Sequence, residues 1–202
     1  HTTLPRFYIS TENARHILGD IRRRIPAGVA QGHQTVSEAA EKFFAEHFDP
    51  LYCSPLLRQR GLNQFGTLGS GNHFIEVSAD LNGDVWLVLH SGSRGIGNQI
   101  AMYYIKQAVE DCAARHVSLE HRDLAYLRIG TDMFERYIHD MLWAQAYAWA
   151  QREEMLRQLD AAVASAVSWE VWSDDVETIH CHHNYSEKQA DGLWLSRKGA
   201  IN

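Results

Sequence analysis

The segments LGSGNHFIEV (residues 68–77) and VLHSGSRGIG (residues 88–97) set His73 and His90 on either side of a polar LNGD stretch, each beside clustered glycines. Asn-Gly between two β-rich runs is the strongest short hairpin signal. A two-residue turn at Asn82-Gly83 makes paired residue numbers sum to 165, with Ile75 opposite His90; a turn one residue earlier gives 163, with His73 opposite His90. In both registers the two imidazoles share a face, because strand side chains alternate with a period of two. Their Cβ atoms would lie roughly 5 Å apart if opposed, or about 7 to 8 Å apart on the diagonal. Either spacing suits two imidazoles on one divalent metal. CHHNY at residues 181–185 offers further ligands. In an extended strand His182 and His183 point to opposite faces, so one of them is expected to bind.

The glycines point to a second chemistry. GTLGSGNH and HSGSRGIG expose backbone N–H groups, the latter just before a helical pattern, and a helix N-terminus preceded by Ser and Gly is an anion site. Arg94 adds a bidentate phosphate donor there. No GxxxxGK[ST] phosphate loop is present. Tight turns and caps are the plain alternative for the same glycines. Glu76 falls on the opposite strand face from His73: it is either a solvated strand carboxylate or a contact to a donor-bearing ligand such as the N–H groups of guanine. Arg197 and Lys198 form a small basic spot at a strand end. Tyr137, Trp143, Tyr147 and Trp149 fall on one helix and read as core packing. Cys53 and Cys112 carry no sign of ligation, and Cys181 reads as buried structure despite its histidine neighbours.

These groups are positioned by an alternation of helices and short strands. Residues 10–25 read as a helix capped by Ser10, Thr11 or Asn13, and TVSEAAEKFFAEHF (35–48) as an amphipathic helix burying Ala39, Phe43, Phe44 and Phe48. Residues 49–71, with Pro50, Pro55 and several glycines, read as a loop. A helix follows from Gly95 to about Arg115, with Ile96, Ile100, Tyr104 and Ala108 on one face. A long helix covers 131–159, where Asp132 and Glu135 resemble a capping box, and residues 161–168 continue it or begin another. β-like runs at 178–187 and 192–199 flank Asp191-Gly192. The expected class is α+β, a small antiparallel sheet surrounded by long helices.

At 202 residues the chain has the size of one domain, 1–202, and its start at His1 and stop within a structured-looking segment suggest the incomplete central portion of a longer protein. Hydrophobic residues at 45% permit a sizeable core. A net charge of −6 argues against coating nucleic acid by bulk charge, though not against a local basic site. Three cysteines without a CxxC pair argue against a disulfide scaffold, so the reducing cytoplasm is the expected compartment. No apolar run approaches the roughly 18 to 20 residues that span a bilayer.

Taken together, GTLGSGNHFIEV, VWLVLHSGSRGIGNQI, CHHNY and SRKGA resemble the RtcB-type tRNA-splicing RNA ligases, most closely the bacterial branch, over about residues 63–200. That resemblance implies a GTP- and Mn²⁺-dependent enzyme joining RNA 2′,3′-cyclic phosphate or 3′-phosphate ends to 5′-hydroxyl ends through a guanylylated histidine. It implies His73, His90 and His183 as manganese ligands, Asn72, Glu76 and Asn184 as nucleotide contacts, and Arg94 and Lys198 as phosphate-binding groups for the RNA end. The substrates would be tRNA halves or broken RNA ends. The family's Asp-x-x-Cys metal motif is not matched by Cys53, and its nucleophilic histidine is expected downstream of Asn202, so residues 1–202 alone are expected to be inactive. A Mn²⁺-dependent phosphatase or nuclease, or an inactive RNA-end-binding module, would use the same residues differently. In purified material zinc would compete for such a site. A metal shared by the three histidines requires their ring nitrogens within about 7 Å of one another.

Overall fold

A computed structural model describes residues 9–29, 31–47, 49–167 and 178–201. The order is α1 (Thr11–Arg24), α2 (Glu38–Glu46), α3 (Leu56–Gln64), β1 (Phe74–Ala79), β2 (Val85–His90), α4 (Arg94–Ala114), α5 (Asp132–Val167), β3 (His182–Lys188) and β4 (Trp194–Ile201). The strands form two separate antiparallel pairs, β1–β2 and β3–β4. The molecule is thus α+β, helix-rich around two small antiparallel sheets.

Caps fix the helix starts. Ser10 Oγ accepts from the Asn13 N–H at 3.1 Å and Ser37 Oγ from the Ala40 N–H at 3.2 Å. The start of α5 differs from the capping box expected of Asp132 and Glu135: Thr131 Oγ1 accepts from the Phe134 N–H at 3.3 Å. Its hydroxyl stands three residues before the donor, the spacing a cap needs. α5 then runs unbroken for 36 residues, roughly 54 Å at 1.5 Å per residue. α3 lies within the stretch read as loop. Pro55 suits a helix start, having no N–H to lose. Gly61 is required inside α3 because a Cβ there would come within 2.9 Å of Ile96 and 3.1 Å of Phe44. Phe48, expected on the buried face of α2, lies outside the described residues.

Two apolar centres use opposite ends of α5. Phe43, Phe44, Phe65, Ile96, Ile100, Tyr104, Trp143 and Tyr147 fill the one built from α2, α3, α4 and the first half of α5. The inner hairpin face (Ile75, Val77, Val85, Leu87, Leu89) closes on α1 and on Met155, Leu159 and Val163 of the second half. Between them the middle of α5 is left to line a cleft.

α1 is tied to α5 by a buried carboxylate. Asp20 accepts from Arg24 Nε at 2.9 Å, Arg23 Nη2 at 2.8 Å and Ser165 Oγ at 3.0 Å. The Arg24 guanidinium, against the opposing effect of burial, holds its carboxyl down at about 2. A carboxyl whose pKa is lower folded than unfolded stabilises the fold above the ordinary carboxylate value and loses that contribution as pH falls through the folded value. Thermal stability of the wild type is therefore expected to converge on that of Asp20→Asn as pH falls from about 4 to about 2, read as Tm against pH for both proteins. Parallel curves would remove Asp20 as the cause.

Candidate functional site

The hairpin register differs from both expected ones. Phe74 stands opposite His90 and Ala79 opposite Val85, so paired numbers sum to 164. The turn is a three-residue loop, Leu81-Asn82-Gly83, closed by Asp80 N–H to Asp84 O at 3.0 Å, with Gly83 at φ +90°. A type I turn followed by a left-handed glycine is the next commonest hairpin loop after the two-residue one. An even sum sets Phe74, Glu76 and His90 on one face, the one turned away from the apolar inner face. In a strictly regular strand His73 would face the other way.

His73 nevertheless meets His90, because it precedes β1 and follows a glycine-built bend. Its ring centroid is 5.9 Å from that of His90, and the His90 centroid is 5.1 Å from that of His183. His73 Nδ1 lies 2.8 Å from the Leu68 carbonyl, which makes Nδ1 the protonated nitrogen and leaves Nε2 with its lone pair. Burial, then the charge of Arg94, hold the ring below the ordinary imidazole range, so it is neutral at neutral pH, the form that binds metals. Carbonyl anchoring of one ring nitrogen is the usual outer support of a metal-bound histidine.

Gly69 shows why glycine recurs here. At φ +91° it lies under Arg94: a Cβ would overlap the guanidinium and stand 3.0 Å from His73 Nδ1. Arg94, itself at φ +58° at the start of α4, donates from Nε to Thr67 Oγ1 at 3.0 Å. Among the described residues no carboxylate pairs with it. Burial lowers its pKa, yet an arginine stays charged.

These groups line a cleft of about 610 Å³ between the two hairpins, the start of α4 and the middle of α5. It contains Asn72, His73, His90, Arg94, His183 and Asn184 of the expected site, together with Asn98, Arg152, His182 and Arg197. Its described lining includes three arginines and four histidines and not one Asp or Glu. In a chain with 25 acidic and 19 basic residues, that segregation gives the described lining a positive character that favours anions.

Two expected residues stand outside the lining. Glu76 is exposed on the outer hairpin face beside Phe74, whose ring is 43% exposed and stacks on His90 at 5.6 Å and 10°. Lys198 is exposed and pairs across the strands with Asn184, while its neighbour Arg197 lines the cleft. Of the two adjacent histidines, His183 touches His90, whereas His182 stacks on Tyr185 at 4.9 Å.

Phe74, Arg152 and Trp149 carried no readable functional signal. Trp149, read as core, is half-buried and stacks on His180 at 3.5 Å. It stands two residues after the buried Tyr147, about 200° round the helix. Burial and then Asp140 push the Cys53 thiol up to about 12. All three cysteines are free.

Among the described residues no group of three His, Cys, Asp or Glu side chains is already arranged to hold a metal. The three imidazoles meet through His90 and supply nitrogen donors only. Such a donor set could hold a divalent ion only with oxygen donors supplied from elsewhere.

The fold and site are thus an α+β module with a cleft that bears histidines and arginines. Residues 9–202 match the family model described as tRNA-splicing ligase RtcB, and the chain belongs to that family. It is 39% identical to RNA-splicing ligase RtcB of Escherichia coli K12 over 151 residues, which cover 72% of this chain and 37% of that one. The RNA-splicing ligase RtcB1 of E. coli ATCC 25922 gives the same identity and coverage. The tRNA-splicing ligase RtcB of Methanococcus maripaludis is 30% identical over 174 residues, 75% of this chain and 36% of that protein. The chain thus spans little more than a third of the length of these relatives.

Proposed function

We propose that this chain forms the nucleotide- and RNA-end-binding centre of a GTP- and Mn²⁺-dependent RNA ligase. The reaction joins a 2′,3′-cyclic phosphate or 3′-phosphate end to a 5′-hydroxyl, on tRNA halves or broken RNA, in the cytoplasm. One observation carries this reading: the cleft, with no carboxylate among its described lining, in which His73, His90 and His183 meet beside Arg94.

His73, His90 and His183 would hold manganese, which when bound neutralises phosphoryl charge and orients the reacting oxygens. Arg94 offers a fork of N–H donors to phosphate oxygens, beside the N–H groups that open α4. Arg197 and Lys198 add charge along the path of an RNA strand. Phe74 presents a flat apolar face for a guanine base, and Glu76, two residues along the same strand face, can accept from its N–H groups. Asn72, whose Nδ2 is 3.3 Å from His90 Nε2, and Asn184 supply amides to the nucleotide. By family resemblance the guanylylated histidine lies beyond residue 202.

The test uses a polypeptide carrying these 202 residues together with that histidine. RNA ends bearing a 2′,3′-cyclic phosphate and a 5′-hydroxyl are expected to be joined only when both GTP and Mn²⁺ are present. Release of phosphate or cleavage of RNA without GTP would replace the ligase reading with a hydrolase. No product under any condition, with RNA bound, would leave a binding module.

A further inference from the structure

We propose that Arg152 is a positioning residue of this site: its guanidinium clasps the end of β2 to the segment entering β3 and so sets the spacing of His90 and His183. Arg152, on α5, is only 7% exposed. Its Nε donates to His180 Nε2 at 3.0 Å, Nη1 to the Ser91 carbonyl at 3.4 Å and Nη2 to the Cys181 carbonyl at 3.3 Å. Ser91 directly follows His90, and Cys181 lies two residues before His183. Among the described residues no other side chain hydrogen-bonds to both segments.

All three acceptors are uncharged, and among the described residues no carboxylate pairs with Arg152. A buried guanidinium held this way contributes geometry more than ion-pair energy. A planar fork reaches three separated acceptors at once; a lysine ammonium on a flexible stem does not. The imidazole acceptor is itself held in place: His180 stacks on Trp149 at 3.5 Å and 25°. Burial, then Arg152, lower its pKa to about 4, so it is the neutral acceptor at physiological pH.

The neighbouring bonds separate the clasp from the fold. Gln151 holds the same β2 exit through Gly92 O at 2.7 Å but does not reach β3. Further along, the Gln145 side chain bonds Ser186 through Nε2 to its carbonyl at 3.1 Å and through Oε1 from its N–H, which secures the body of β3 to α5. Releasing Arg152 therefore frees the approach to His183 while leaving both hairpins attached. Arg152 also lines both the main cleft and a second cavity of about 320 Å³ that share His90 and His183, so the clasp lies in the wall between them.

The consequence for metal binding rests on the proposed role of the two histidines; the clasp does not. The test is proton NMR of this chain. A nuclear Overhauser contact between the His90 and His183 rings is expected in the wild type and is expected to be lost in Arg152→Met and in Arg152→Lys, while contacts between Ile96 and Tyr147 persist. Millimolar guanidinium should restore it in Arg152→Ala. His180→Phe, which keeps the Trp149 stack and removes one acceptor, should weaken it without altering α5. An undiminished contact in Arg152→Lys or Arg152→Met overturns the proposal. Co²⁺ absorbance titrations of the same proteins are expected to show binding weakened about 10- to 100-fold, as for other outer supports of metal ligands. Loss of the ring contact in the variants, with no Co²⁺ binding by the wild type, sustains the clasp and removes the metal role.

Discussion

Replacing His90 with alanine is expected to weaken Mn²⁺ binding by this chain at least about 100-fold, beyond the 10- to 100-fold typical of outer supporting residues, with the fold intact. His90 is the hub of the cluster, since its ring is the one in contact with both His73 and His183. Removing it leaves two imidazoles with no described contact between them. The hairpin should survive, because its stability comes from the opposite face, where Ile75, Val77, Leu87 and Leu89 meet Met155, Leu159 and Val163. Electron paramagnetic resonance of free Mn²⁺ during a titration reads the affinity, and circular dichroism the fold. Equal affinity in the mutant would show that the histidines do not share an ion.

The largest effect on stability is expected at Asp140. It is fully buried on α5 and accepts from the Tyr52 N–H at 2.9 Å, the Cys53 N–H at 2.8 Å, the Tyr104 hydroxyl at 2.9 Å and His139 Nδ1 at 3.0 Å. One carboxylate thus organises the chain entering α3 and fastens α4 to α5. Alanine would leave several donors unpaired, two of them backbone N–H groups. Each buried group left so costs about 1 to 3 kcal/mol, and charge-assisted bonds lie at the upper end. Asp140→Ala should therefore lose about 3 to 5 kcal/mol, read as a lower urea midpoint with an unchanged slope. A loss below about 1 kcal/mol would mean that water replaces the carboxylate.

Much of the site could be read because it is local. Glycines beside His73 and His90, and the β-runs around Asn82-Gly83, announced a hairpin carrying imidazoles at its open end. Its register could not be read: two- and three-residue loops both accept Asn-Gly, and the difference lies in one residue of pairing. That shift moved Glu76 onto the face of His90 and left His73 to reach the cluster from a bend held by the Leu68 carbonyl. Arg152 was invisible for a different reason. Within QREEMLRQL it resembles any helix-surface arginine, and only the return of residues 180–183 from far along the chain makes it interior. Trp149 shares that cause, for its stacking partner His180 is also distant in sequence. α3 was missed because Pro55 and Gly61 signal a loop by type, while one starts the helix and the other admits Ile96 and Phe44.

In the proposed function one cleft gathers three imidazoles and Arg94 around a metal-bound phosphorylated nucleotide. The most direct measurement is crystallographic: anomalous scattering at the manganese edge from this chain crystallised with Mn²⁺ and GTP. A peak is expected at bonding distance from ring nitrogens of His73, His90 and His183, with the triphosphate against Arg94 and the base against Phe74. Manganese bound away from these histidines, or a triphosphate bound away from Arg94, would overturn that reading.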